Sequence, residues 1–324
     1  MAGQRVLVSG MGGDLGSRVA TLLEAEEWVG PLMGIDVDPP RRRLRKAEFH
    51  LVGADERDRT IELVTKFNPH VLVHISVWEP HSRATPRNAA KYTELAATAI
   101  LGAAAECRGL EAIVHRSGIE VYGRARQSLT RPHEHVAINP TCDFGRILAN
   151  IELTAAAVAG RVGVAVGALR LAPVLGPHVP SPLGRLLRQP VVPFSALADS
   201  PFAVIEDVDA ARAFVAAAQR RLTEPVNVVA PGGVTALQAI LRGRRVPWPV
   251  VGPDWAWVSA ASGVLGAPIP NHVVELMHRG RLADGSRQRE LLGIEPLAST
   301  PEVIDRLHAW EDVVRIVPTR QVAS

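Results

Sequence analysis

Short apolar runs rich in β-branched residues alternate, along the first half of the chain, with longer stretches rich in Ala and Leu. The short runs predict strands at residues 5–9, 32–36, 71–75, 112–116 and 164–171. The longer stretches predict helices between them, at residues 15–26, 59–67, 90–106 and 144–158. Strands that alternate with helices build a parallel sheet with helices on both faces, so we expect a doubly wound α/β fold.

The pattern changes after Gly176 and Pro177, where Pro and Gly become frequent and the predicted elements become shorter. We therefore expect two parts. Residues 1–176 would form the doubly wound domain, and residues 177–324 a smaller C-terminal α/β lobe, parts of which return to the first sheet. Such a lobe, placed beside the sheet, would hold a substrate pocket.

Three glycines lie between the first predicted strand and the first predicted helix, in residues 6–17 (VLVSGMGGDLGS). They are Gly10, Gly13 and Gly16, and the absence of a Cβ atom allows backbone N–H groups and a helix N-terminus to approach a pyrophosphate. The Asp14 charge in this turn would weaken anion binding unless its side chain points outward. The turn therefore predicts a dinucleotide site, which also includes Gly12, Asp14 and Leu15.

An acidic residue, Asp36, closes the second predicted strand 20 residues after Gly16. A carboxylate at this place can accept hydrogen bonds from both ribose hydroxyls, and it would repel a 2′-phosphate, so NAD is favoured over NADP. A nearby basic run keeps NADP open as the less favoured cofactor: Arg41, Arg42, Arg43, Arg45 and Lys46. A plain tight turn without a ligand is the alternative, but strand, glycines, helix and acid all fall in register.

The charge balance excludes some classes of function. The chain has 36 Lys and Arg against 33 Asp and Glu, an excess too small for the electrostatic footprint of nucleic-acid binding. No apolar run approaches the ~18 residues of a membrane-spanning helix. The first predicted strand begins at residue 5, which leaves no room for a signal segment. We therefore expect a cytoplasmic protein with no membrane span and no nucleic acid partner.

Metal and disulfide sites are also not expected. Cys107 and Cys142 are the only cysteines, too few for a disulfide framework or a cysteine-based zinc site. His133, Glu134 and His135 lie together, but a metal site would need more converging ligands. We therefore expect no bound metal.

Further motifs follow the glycine turn in a fixed order. They are residues 53–58 (GADERD), 73–77 (VHISV), 117–123 (SGIEVYG), 169–177 (LRLAPVLGP), 205–211 (IEDVDAA) and 284–296 (DGSRQRELLGIEP). This order resembles the extended short-chain dehydrogenase/reductases, the NAD-dependent epimerase/dehydratase family that includes UDP-glucose 4-epimerases. The resemblance implies a Rossmann fold, NAD as cofactor and a nucleotide sugar or other small molecule as substrate. It also implies cofactor contacts from Asp55, Ile75 and Ser76.

The catalytic residues of that family are missing. Its members use a tyrosine and a lysine four residues apart on one helix, because a phenol with a pKa near ~10 becomes a useful base only beside a cation. Residues 139–152 (NPTCDFGRILANIE) place Phe144 at the tyrosine position and Leu148 at the lysine position, and Gly118 stands where the family has a hydroxyl. Phe and Leu cannot transfer a proton. No Tyr-x-x-x-Lys pair occurs anywhere in the chain.

Three kinds of function stay open. The first is a protein that binds NAD for a sensing, structural or scaffold role. The second is an active epimerase, dehydratase or reductase in which Glu120, Tyr122 or Cys142 supplies the proton transfer. The third is a docking or homodimer surface formed by aromatic residues that otherwise pack the C-terminal lobe: Trp248, Trp255 and Trp257.

The arginine expected to bind the diphosphate of a sugar nucleotide is also absent from its usual position. Members of the family that bind sugar nucleotides usually carry an arginine just before the segment that resembles residues 202–207, and this chain has Ser200 and Pro201 there. A diphosphate would lack that bidentate partner. Arg185 and Arg188 are the candidate substitutes.

Overall fold

A computed structural model describes residues 3–81, 84–125, 128–251, 255 and 269–309. Seven strands in this part of the chain form one sheet, in the order β10-β6-β5-β4-β1-β2-β3, and every neighbouring pair is parallel. The strands are β1 Gln4–Ser9, β2 Val29–Asp36, β3 Glu48–Leu51, β4 Val71–His74, β5 Ala112–Gly118, β6 Ala165–Leu171 and β10 Val226–Val228. The order runs outward in one direction from β1 and in the other from β4, so the doubly wound fold is confirmed.

Helices cover both faces of this sheet. The helices of the described residues, some of which pack on the C-terminal part instead, are α1 Asp14–Leu23, α2 Arg57–Phe67, α3 Pro86–Ala105, α4 Asp143–Val162, α5 Pro182–Leu187, α6 Asp207–Arg220, α7 Ala236–Arg242, α8 Asn271–Arg279, α9 Ser286–Leu292 and α10 Thr300–Ala309. A 3₁₀ turn, Ile119–Tyr122, follows β5. α1 packs against α6, and α3 packs against both α2 and α4.

Two apolar cores result from the alternation of side chains along each strand. Val6 and Val8 of β1 belong to the core that contains α1 and α6, whereas Leu7 belongs to the core that contains α2 and α3. All three side chains are fully buried. A strand buried on both faces needs a continuous apolar run, which is why these strands are visible in the sequence.

The residues after 176 contribute to the central sheet as well as to structure outside it. β10 extends the sheet beside β6, and α6 packs on α1. Two short parallel sheets pair β8 (Val191–Ser195) with β11 (Val246–Val250), and β7 (Val174–Leu175) with β9 (Ile205–Glu206). Trp248 on β11 is half exposed and Trp255 is buried, while Trp257 lies outside the described residues.

None of the helices in the described ranges has the length and apolar character that crossing a membrane requires. The same residues contain no group of three or more His, Cys, Asp or Glu side chains that could hold a metal ion.

Candidate functional site

The glycine turn lies at the point where the strand order reverses, between the carboxyl ends of β1 and β4. Open α/β sheets bind their ligands at this place. A cavity of about 250 Å³ opens there. Its walls include eight of the residues predicted from the sequence: Gly10, Gly13, Asp14, Leu15, Gly16, Asp36, Ile75 and Ser76.

Gly10 and Gly16, which line the groove, have no room for a side chain. Gly10 has φ of +83°, and a Cβ atom on it would lie 2.7 Å from the backbone nitrogen of Ser76. A Cβ atom on Gly16 would lie 1.8 Å from the carbonyl oxygen of Gly10. The chain therefore closes tightly on itself just before α1 begins, and the N-terminus of that helix faces the groove.

The Asp36 carboxylate holds the turn from the other side. Its Oδ2 accepts hydrogen bonds from the backbone nitrogens of Gly12 at 2.7 Å and Gly13 at 3.3 Å, and its Oδ1 accepts one from Val37 at 2.6 Å. Burial raises the pKa of Asp36, and these backbone N–H groups oppose that rise. A cradle without Cβ atoms, a helix N-terminus and a carboxylate at the end of β2 are the parts that a dinucleotide requires, so the residues present fit one.

Two predicted cofactor residues, Gly12 and Asp55, are not among the residues that line the groove. The backbone N–H of Gly12 donates a hydrogen bond to Asp36. A Cβ atom on Gly12 would lie 1.9 Å from the carbonyl oxygen of Asp38. Asp55 follows Gly53 and Ala54, which line a small neighbouring cavity together with Asp36. A cofactor contact from Asp55 stays a prediction.

Asp14 lines the groove, and a cation balances its charge. Its carboxylate lies 3.3 Å from the guanidinium of Arg41, the first residue of the basic run. Burial raises the pKa of Asp14, and Arg41 opposes that rise. The ion pair reduces the repulsion that Asp14 would exert on a phosphate.

A second cavity, of about 30 Å³, adjoins the groove and lies beside Phe144. It shares the wall residues Glu79, Arg116, Val174 and Ser181 with the groove. Phe144 and Gly118 line it, and a Cβ atom on Gly118 would lie 2.9 Å from Cδ1 of Leu148. The structure therefore brings together the three positions that the sequence assigns to the missing catalytic residues.

Three linked ionisable side chains, Glu79, Arg116 and His272, line the cavity beside Phe144. Nε2 of His272 lies 3.0 Å from Oε1 of Glu79, and a guanidinium nitrogen of Arg116 lies 3.7 Å from Oε2 of Glu79. The rings of His272 and Phe144 are 5.0 Å apart, and the guanidinium carbon of Arg116 is 6.0 Å from the Phe144 ring centre. Burial alone would raise the pKa of Glu79, but the hydrogen bond to His272 and the charges of His272 and Arg116 lower it overall.

The candidate replacement residues occupy different surroundings. Glu120 is buried, lines the second cavity, and has Oε1 3.5 Å from the guanidinium of the buried Arg281. Sγ of Cys142 accepts the backbone N–H of Gly145 at 3.4 Å, and burial raises the pKa of this thiol to about 11. Of the two, Glu120 therefore has the access that proton transfer to a ligand requires.

Tyr122 belongs to a buried network outside the walls of both cavities. Its hydroxyl donates to Oδ1 of Asn227 at 2.7 Å and accepts from Arg170 at 2.9 Å. Burial raises the pKa of Tyr122. Arg170 also forms a two-pronged pair with Glu152, at 2.9 and 2.7 Å, which ties β6 to α4. These contacts hold the Tyr122 hydroxyl within the buried network. A catalytic role for Tyr122 stays a prediction that the geometry does not support.

The two arginines considered as partners for a sugar diphosphate already form other hydrogen bonds. Arg185 donates to the carbonyl oxygen of Pro180 and Arg188 to that of Pro177, each at 2.9 Å. In this geometry both guanidinium groups contact the backbone of their own segment.

Sequence reasoning missed His272 and Glu79. Glu79 follows a predicted strand closely, which is a weak signal for a residue at the carboxyl end of the sheet. His272 stands 193 residues further along, and nothing in its local sequence points to the cavity.

The model of the NAD-dependent epimerase/dehydratase family matches residues 6–228, more than half of the chain. The chain therefore belongs to this family, and the resemblance drawn from its motifs is confirmed.

Relatives and solved structures match almost the whole chain. An uncharacterized protein of Mycobacterium tuberculosis is 27% identical over 342 residues, which cover 98% of this chain and 87% of the relative. The UDP-glucose 4-epimerase of Thermotoga maritima, solved with UDP-glucose, superposes with a TM-score of 0.70 at 18% identity, over 94% of this chain and 97% of its own. The UDP-glucose 4-epimerase of Brucella ovis, solved with NAD, gives 0.72 at 19% identity over the same shares. At these identities the likeness establishes the fold.

Proposed function

We propose that this chain binds NAD in the groove above the glycine turn and that it lacks the tyrosine and lysine acid–base chemistry of its family. The observation that carries the proposal is the contrast between the two ends of the groove. Gly10, Gly16 and Asp36 fit a dinucleotide, whereas the positions that the family motif gives to tyrosine and lysine hold Phe144, which lines the adjoining cavity, and the buried Leu148. When bound, NAD supplies a hydride acceptor.

The cofactor is NAD rather than NADP. The Asp36 carboxylate lines the groove at the end of β2. There it would accept hydrogen bonds from the ribose hydroxyls of NAD, and it would repel the 2′-phosphate of NADP. The first arginine of the basic run, Arg41, is paired with Asp14 and is therefore less able to attract that phosphate.

With the standard base and its lysine absent, the first role we assign is a cofactor-dependent sensing or scaffold function. Loss of a positioned general acid or base lowers rates by about 10² to 10⁴-fold. Calorimetric titration of the purified protein with NADH, and in parallel with NADPH, tests the proposal. We expect saturable binding of NADH and weaker binding of NADPH, and absence of binding at millimolar NADH would end the proposal.

A second candidate function is nucleotide-sugar epimerisation or dehydration, or a related reduction, through replacement residues. The ionisable groups Glu79, Glu120 and His272 in the cavity beside Phe144 favour it. The relatives solved with UDP-glucose suggest the substrate class. NMR of a panel of UDP- and GDP-sugars tests it, and conversion no faster than with heat-denatured protein would count against it. A homodimer and a cytoplasmic location remain predictions from the sequence.

A further inference from the structure

Glu79 lines both the groove and the cavity beside Phe144, and it forms a hydrogen bond with His272, which lines that cavity. We propose that His272 is the proton-transferring base of this site and that Glu79 is the residue that positions it. The inference rests on the proposed NAD site and on the second candidate function, because it gives the missing chemistry to residues outside the family's catalytic motif.

The location of the pair is the first argument. Glu79 lines both cavities, and His272 lines the one beside Phe144. The His272 ring lies 5.0 Å from the ring of Phe144, the residue at the family's tyrosine position. A base held by α8 can therefore act where a base held by α4 would act in other members of the family.

The hydrogen bond gives the imidazole a defined form. The hydrogen bond from His272 and the charge of Arg116 both lower the pKa of Glu79 against the effect of burial, and we take Glu79 as ionised. An ionised carboxylate can only accept, so the neutral ring donates from Nε2 and carries its lone pair on Nδ1. A carboxylate orients a histidine base in catalytic triads too, although there it binds Nδ1 and the base is Nε2.

The replacement explains why tyrosine and lysine are absent together. A phenol titrates near ~10 and needs a neighbouring cation to act as a base at neutral pH, whereas a neutral imidazole carries a free ring-nitrogen lone pair and needs no such cation. Once a histidine is the base, no lysine is needed at the position of Leu148 to lower the pKa of a tyrosine. Leu148 is buried to 1% exposure, where an apolar side chain is favoured.

The proposed step is a proton transfer from a substrate hydroxyl. The O–H bond breaks, an Nδ1–H bond forms on His272, and the substrate oxygen is left with the negative charge. The imidazolium is balanced by the Glu79 carboxylate, and the Arg116 guanidinium, which lines the same cavity, would stabilise the developing alkoxide. A space of about 30 Å³ admits a group the size of a hydroxyl.

The competing explanation is that the pair only fastens α8 to the segment after β4. Three variants of the full chain separate the two explanations: H272Q, E79Q and, as a matched control on the same helix, H278Q. His278 stacks beside Trp255 and is not in the walls of the two cavities. With NAD+ present and UDP-glucose as the probe, the formation of NADH is followed by its absorbance and the sugar product by NMR.

We expect H272Q to lower the rate about 10² to 10⁴-fold, E79Q to lower it by a smaller factor, and H278Q to leave it unchanged. H272Q and H278Q, whose side chains do not line the groove, should bind NADH with the affinity of the wild type. Equal rates in the wild type and H272Q overturn the inference, and so does a wild type that binds NADH but converts no probe. Loss of NADH binding in the wild type would instead contradict the proposed function.

A spectroscopic readout tests the positioning role without turnover. Long-range ¹H–¹⁵N correlation of the histidine side chains reports which ring nitrogen carries the proton, and the signals absent from H272Q identify His272. We expect the Nε2–H form in the wild type and a change in these signals in E79Q, with none in H278Q. A wild type with the proton on Nδ1 would overturn the proposed pairing.

Discussion

Replacement of Gly16 by Ala is the sharpest perturbation of the nucleotide groove. The new Cβ atom would lie 1.8 Å from the carbonyl oxygen of Gly10, 1.6 Å short of the 3.4 Å at which ordinary contact begins. The same atom would lie 2.9 Å from Cα of Met11, so the obstacle is backbone that cannot rotate away. The turn must open by more than an ångström. Backbone N–H groups that meet a phosphate at hydrogen-bonding distance are then displaced from it.

The size of the effect follows from the hydrogen bonds at risk. A hydrogen bond to a charged group contributes about 1.5 to 3 kcal/mol, so loss of one such bond weakens NADH binding by about tenfold or more. Calorimetry measures this affinity. Gly160→Ala is the matched control, because a Cβ atom there meets nothing within 4 Å and helix α4 should gain about 0.5 to 1 kcal/mol. Equal NADH affinity in Gly16→Ala and the wild type would refute the proposed role of the turn.

Three further predictions concern the buried side chains. Glu152→Gln should lower the free energy of unfolding, measured in urea, by about 3 kcal/mol, because it leaves the Arg170 guanidinium buried without its charge partner. A decrease below about 1 kcal/mol would contradict the pairing. The pKa of Glu152 is lowered by this pair against the effect of burial, so its stabilisation is present above the ordinary value of 4.5 and is lost as pH falls through the folded-state pKa. The gap between wild type and Glu152→Gln should therefore shrink in acid, and a gap independent of pH would contradict the assignment. Cys142, with a pKa of about 11, should be roughly 0.1% ionised at pH 8. It should therefore react slowly with iodoacetamide until the protein unfolds. Rapid labelling of the native protein would contradict this and would support Cys142 as a nucleophile.

Most of the central sheet could be predicted because its strands are buried on both faces and have continuous apolar sequences. The two strands that the sequence did not reveal are short edge strands. β3 (Glu48–Leu51) has the sequence EFHL, with polar residues at alternate positions, and β10 (Val226–Val228) has only three residues. Neither is long enough for periodicity to separate it from a loop.

The nucleotide end of the site could be predicted because its parts are close in sequence. The glycine turn and Asp36 fall within one strand–helix–strand unit, so spacing alone places them together. The other end is assembled by the tertiary fold. Glu79 and His272 meet across 193 residues, and Tyr122, a candidate base by sequence, proves to be bonded to Arg170 and Asn227 in a buried network.

A crystal structure of the protein with NAD tests the central claim most directly, because it places the dinucleotide and the surrounding side chains in one measurement. We predict density for the pyrophosphate above Gly10 and Gly16, with the nicotinamide near Glu79 and the ring of Phe144. A groove left empty at saturating NAD, or a nicotinamide remote from Phe144 and Leu148 and lined by some other proton-transferring pair, would contradict the account.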